Sequence, residues 1–127
     1  MKELMAVGVG GFIGSIARYK LGGFLLHHST NWRFPLSTFV INVTGCFVIG
    51  VLGAVVERHD FFSPALRLFL FTGLLGGYTT FSAFGFEGVY LLRRGEFGIA
   101  LGYAVLSVVC GFAAVWIALK LFSFGHH

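Results

Sequence analysis

The chain has 127 residues, 57% of them hydrophobic and 11% charged, with a formal net charge of +4. A soluble domain uses about 25% charged residues, and a small one has much surface for its volume, so this supply cannot coat a water-facing exterior. The composition excludes a soluble globular domain, a disordered chain and a disulfide-stapled secreted scaffold, and leaves one small integral membrane domain.

A spanning helix needs about 20 mostly apolar residues, and four of them nearly exhaust the chain. The first segment is expected over about 4–26; it is uncharged from Leu4 to Ala17, after which Arg18 and Lys20 approach one membrane face. Its apolar run continues without an A-x-A site, so no cleavable signal is expected. Residues 27–35, HHSTNWRFP, read as a polar loop closed by Pro35. The second segment, about 36–56, is charge-free, and a loop of mixed charge follows from Glu57 to Pro64. The third, about 65–92, is charge-free from Leu68 to Phe86 and is followed by the basic turn Arg93-Arg94-Gly95-Glu96. The fourth, about 97–121, stays uncharged up to Lys120. The expectation is an all-α membrane protein: one four-helix domain over residues 1–125 with both termini on one side. His126-His127 are set aside as a candidate tag remnant.

Charge gives little orientation. Lys2, Arg58, Arg67 and Lys120 fall on the terminus side; Arg18, Lys20, Arg33, Arg93 and Arg94 fall on the other. Four against five is almost no instruction under the Lys/Arg rule. Two readings stand on that count: a weakly specified single topology, or copies inserted both ways and paired antiparallel. Four thin helices do not readily enclose a pathway, which favours an oligomer. Gly10/Gly14, Gly73/Gly77 and Gly98/Gly102 carry the small-xxx-small spacing of close helix contacts.

The third segment holds the stretch Gly76-Gly77-Tyr78-Thr79-Thr80-Phe81-Ser82-Ala83-Phe84-Gly85. Its glycines and β-branched threonines make a poor helix interior close to the middle of the charge-free run. One reading is a broken helix whose freed carbonyls form a cation site; the other is a continuous helix with glycines for packing. In an antiparallel dimer the two breaks would face each other, and two carbonyls from each copy would form a four-oxygen cage.

Polar residues recur at helical spacing in two other segments. Thr38, Asn42 and Cys46 lie a turn apart, as do Tyr103, Ser107 and Gly111. A buried amide such as Asn42 either bonds across helices or lines a path. Phe81 and Phe84 share one helix face, where they either pack or present their electropositive edges to an anion. Cys46 and Cys110 sit in apolar runs as packing residues, and His27, His28 and His59 lie in expected loops without ligand partners. The basic residues sit at helix ends, which points to lipid headgroups rather than nucleic acid.

Together these residues resemble the Fluc fluoride channels, the CrcB family of bacterial membrane proteins. The resemblance covers essentially the whole chain: the glycine-rich first segment with Arg18, Thr38-x-x-x-Asn42, GGYTTFSAF, and Tyr103 with Ser107. It implies an antiparallel dual-topology homodimer in the bacterial inner membrane that passively exports fluoride and so limits its toxicity. It also implies a central structural Na⁺ held by the backbone carbonyls of Gly76 and Thr79 from both copies. Phe81 and Phe84 would turn ring edges to fluoride, and Asn42, Ser82, Tyr103 and Ser107 would line its path. Thr38 would be a vestibule hydroxyl, and Arg18 and Glu87 would tune access or structure. The chain departs from the family pattern at Ala83 and Gly85, where members often carry hydroxyls. Two rival readings fit the residues less well. A small multidrug exporter would need an embedded carboxylate, and Glu87 lies at the edge of the charge-free run. A non-conducting anchor would not account for Asn42, GGYTTF and Ser107 occurring together. No catalytic set points to an enzyme.

Overall fold

A computed structural model describes residues 1–58 and 62–123, so His59 and the terminal His126-His127 lie outside the described residues. Those residues are helical, without a strand among them. Helix α1 spans Lys2–His28, α2 spans Leu36–Arg58 and α6 spans Phe97–Phe122. Between α2 and α6 the chain runs through α3 (Pro64–Arg67), a π-helical stretch (Leu68–Leu75), α4 (Gly76–Tyr78) and α5 (Phe81–Arg93).

Local chemistry explains the ends. Ser63 caps α3, its Oγ accepting from the Leu66 amide at 3.1 Å, and Pro64 occupies the first turn, where no amide is needed. The turn into α6 uses Gly95 at φ 78°, a conformation glycine adopts without a Cβ clash. At the other boundary the structure corrects the sequence expectation. His27 and His28 belong to the last turn of α1 rather than to a loop. Basic or neutral polar residues suit the carbonyl-rich end of a helix, so their polarity does not end it. The helix stops at Ser29, whose hydroxyl donates to the Leu25 carbonyl at 2.6 Å.

Two helix pairs organise the molecule: α1 against the π-helical stretch and α4, and α2 against α6. In the first pair the backbones touch. A Cβ at Gly10 would lie 2.8 Å from the Leu74 amide nitrogen, one at Gly73 the same distance from the Val7 carbonyl oxygen, and one at Gly77 as close to the Gly11 carbonyl oxygen. A Cβ at Gly14 would collide with the Leu74 carbonyl. Two of the three small-residue pairs therefore sit in this one contact. The third does not, because Gly98 and Gly102 face open space. In the second pair Gly50 lies against Ala118 and Val115.

Little is enclosed. Tyr103 and Leu91 are the largest fully buried side chains, grouped with Ala100 beneath Phe34, Phe39 and Phe84. The accessible surface of 8244 Å² exceeds the roughly 6,600 Å² expected of a compact soluble monomer of this mass. Phe12, Phe24, Phe86, Phe112 and Trp116 all point outward. Leu36–Glu57, Pro64–Arg93 and Phe97–Phe122 are long and apolar enough to cross a membrane. Helix α1 is long enough at 27 residues, about 40 Å, but is not among the apolar spans.

Candidate functional site

The site is built around a break in the third span. Helix α4 ends at Tyr78, Thr79 and Thr80 are extended, and α5 starts at Phe81. Of the two readings open in the sequence, the structure takes the interrupted helix. The gap falls near the middle of Pro64–Arg93, at the depth where hydrocarbon offers no hydrogen bonds. Neighbouring groups supply them instead. Asn42 donates its amide to the Thr80 carbonyl at 3.0 Å and accepts from the Thr80 amide at 2.9 Å. The Thr80 hydroxyl caps α5 by accepting from the Ala83 amide at 3.2 Å. Arg18 reaches from α1 to donate its Nε–H to the Gly77 carbonyl at 3.0 Å.

This arrangement diverts two donors. In a continuous helix the Thr80 amide would bond the Gly76 carbonyl and the Ala83 amide the Thr79 carbonyl. Here Asn42 takes the first and the Thr80 hydroxyl the second. Gly76 and Thr79 thus lose their regular partners at midspan, and both border the same groove. Hard carbonyl oxygens of this kind suit a monovalent cation without any His, Cys or acidic ligand.

The groove encloses about 440 Å³ between α2, the broken span and α6. It brings together six of the expected ion-site residues, Asn42, Gly76, Thr79, Phe81, Phe84 and Ser107, with Cys46 and Gly111 from the same two helix faces. The Phe81 and Phe84 rings lie 5.7 Å apart and tilted by 48°, and Phe84 stands 5.0 Å from the Tyr103 ring. Phe81 is 83% exposed in the single chain, so lipid or a partner has to cover it. Tyr103 Oη and Ser107 Oγ, one turn apart on α6, are buried with no hydrogen-bond partner among the described residues. Such orphans are rare in proteins and mark a place where a partner belongs.

The other predicted residues lie outside the groove. Tyr103 sits behind Phe84. Ser82 is exposed, its Oγ 3.4 Å from the Thr80 hydroxyl. Thr38 is buried and donates to Glu87 at 2.5 Å, bridging α2 and α5. Glu87 borders a second cavity of about 330 Å³ with Arg33, Arg94 and Tyr90. Sequence reasoning missed Thr80, the partner of Asn42. Its signal was available, since a threonine immediately before an apolar helical run is an N-cap candidate. Gly45 at the back of the groove carried no such signal.

The model of the CrcB-like, camphor-resistance (CrcB) family matches residues 5–119. The chain belongs to the CrcB-like family. Curated relatives agree over nearly their full lengths. A protein of Methylobacillus flagellatus named a fluoride-specific ion channel is 50% identical over 121 residues, 95% of this chain and 94% of its own. One of Flavobacterium psychrophilum with the same name is 42% identical, covering 94% of this chain and 95% of its own. A third, from Gloeothece citriformis, is 36% identical over 95% and 97%. These names are those of channels, so the CrcB-like chain is a multi-pass membrane protein of a transport family and not an enzyme.

Proposed function

We propose that the chain is a fluoride-specific channel that lets accumulated fluoride leave the bacterial cytoplasm through the inner membrane and so reduces its toxicity. The observation that carries this reading is the pair of orphaned hydroxyls, Tyr103 Oη and Ser107 Oγ, beside the Phe84 ring. An idealised Born cost for a small ion entering low dielectric is of order 20 kcal/mol, so a conducting path has to replace water step by step. A hydroxyl donates to an anion, the remaining Asn42 N–H does the same, and ring edges attract it weakly. Among the described residues no side-chain cation borders the groove, so none of them holds the ion too tightly to leave.

The working unit in this proposal is an antiparallel homodimer with dual topology. Residues 1–125 form one channel domain and α1 is its fourth span, as its close packing on the π-helical stretch and Arg18 binding at the break both support. Dimerisation accounts for the exposure of Phe81 and for the excess surface. A structural Na⁺ between the two breaks would be held by the Gly76 and Thr79 carbonyls of both copies. When bound it offsets the dipoles of these carbonyls and raises the local potential for anions. The near-even Lys/Arg count fits insertion both ways.

A label on the C-terminus should be found on both faces of the membrane, and fluoride-sensitive cells should regain growth in fluoride when they express the chain. A label confined to one face would contradict dual topology, and growth without improvement would contradict export.

A further inference from the structure

We propose that Gly45 is the positioning residue for the Thr79 carbonyl, a role that rests on the cation reading above. Gly45 is buried on α2, three residues beyond Asn42 and on the same side of the helix. A Cβ built there would overlap the Thr79 γ-methyl and lie 3.4 Å from the nearest Tyr78 ring carbon. The missing side chain is the socket for that methyl.

The other arm of Thr79 is also tied, since its hydroxyl donates to the Leu75 carbonyl at 3.0 Å. One χ1 angle places both arms of a β-branched side chain. Filling the socket therefore either turns χ1 and pulls the hydroxyl off Leu75, or shifts the Thr79 backbone and its carbonyl. Tyr78 leaves little slack, because its hydroxyl is 2.8 Å from Thr44 Oγ1, next to Gly45. Asn42, Thr44 and Gly45 thus grip Thr80, Tyr78 and Thr79 from one helix. Asn42 satisfies the break, whereas Gly45 sets where one of its carbonyls stands.

The test titrates Na⁺ against the thermal midpoint of the purified full-length protein, with fluoride efflux from liposomes as a second readout. Gly45→Ala should raise the Na⁺ concentration for half-maximal stabilisation about tenfold, within the range expected for one methyl forced into a packed site. Thr79→Ser keeps the carbonyl and hydroxyl and removes only the methyl. In that background Gly45→Ala should have no further effect on the Na⁺ midpoint. Equal Na⁺ midpoints for wild type and Gly45→Ala would overturn the role, as would a full Gly45→Ala effect in the Thr79→Ser background. If Gly45→Ala alone yields no folded protein, recovery of folded, Na⁺-responsive protein by the double variant supports the proposal and its failure overturns it. A wild type that ignores Na⁺ in both readouts refutes the cation reading itself, before any variant is compared.

Discussion

Asn42 pairs with both backbone groups of Thr80, donating to its carbonyl at 3.0 Å and accepting from its amide at 2.9 Å. One side chain thereby does for the broken third span what a turn of helix would otherwise do. The same pairing withholds the Thr80 amide from Gly76, so satisfying one residue opens the carbonyl of another.

Removing that amide should unsettle the break. Asn42→Leu leaves two backbone groups unpaired in the membrane interior, at roughly 1–3 kcal/mol each. Thermal unfolding in detergent should show a clearly lower midpoint, with fluoride flux lost. An unchanged midpoint would mean the break holds without Asn42.

The hydroxyls on α6 should behave in the opposite way. Among the described residues Tyr103 Oη and Ser107 Oγ are buried without a partner at hydrogen-bond geometry, so Tyr103→Phe and Ser107→Ala remove no well-formed protein hydrogen bond. Stability without fluoride should change by no more than about 0.5 kcal/mol, while fluoride throughput falls. Thermal scans and flux on the same preparations separate the two effects.

The two rings should differ in stability and agree in function. Phe84 packs on Tyr103 at 5.0 Å, an aromatic pair worth about 0.5–1.5 kcal/mol beyond its buried area, whereas Phe81 is exposed in the single chain. Phe84→Ile should therefore lower the thermal midpoint of monomeric protein more than Phe81→Ile does. Both should impair fluoride flux.

Glycine substitutions should sort by contact. Gly14→Ala drives a methyl into the Leu74 carbonyl, rigid backbone that cannot swing aside, and should cost at least about 1–3 kcal/mol. Gly98→Ala meets no atom of the described residues within 4 Å and should change stability by less than about 0.5 kcal/mol. Yield and thermal midpoint after purification check both.

Much of this was legible because membrane helices announce themselves by charge. The uncharged runs 4–17, 36–56 and 97–119 fall inside helices, and the run 68–86 is helical except at the extended Thr79 and Thr80. The poor helix formers between Gly76 and Thr80 marked the break, although it opens at Thr79 and Thr80 rather than at the glycines. Gly77 is used for close approach to α1 instead. The π-helical form of Leu68–Leu75 left no trace in a run that is simply apolar. Polarity misplaced the end of α1, because His27 and His28 are compatible with a last helical turn. The role of Gly45 was invisible, since it depends on a methyl that arrives from 34 residues away in the chain.

The most direct measurement is anion efflux from liposomes containing the purified protein, followed with fluoride and chloride electrodes. Fluoride should leave rapidly once a potassium ionophore relieves the charge imbalance, with chloride retained and no stoichiometric proton movement. Equal release of both anions, or fluoride release locked to protons, would contradict a passive fluoride-specific channel.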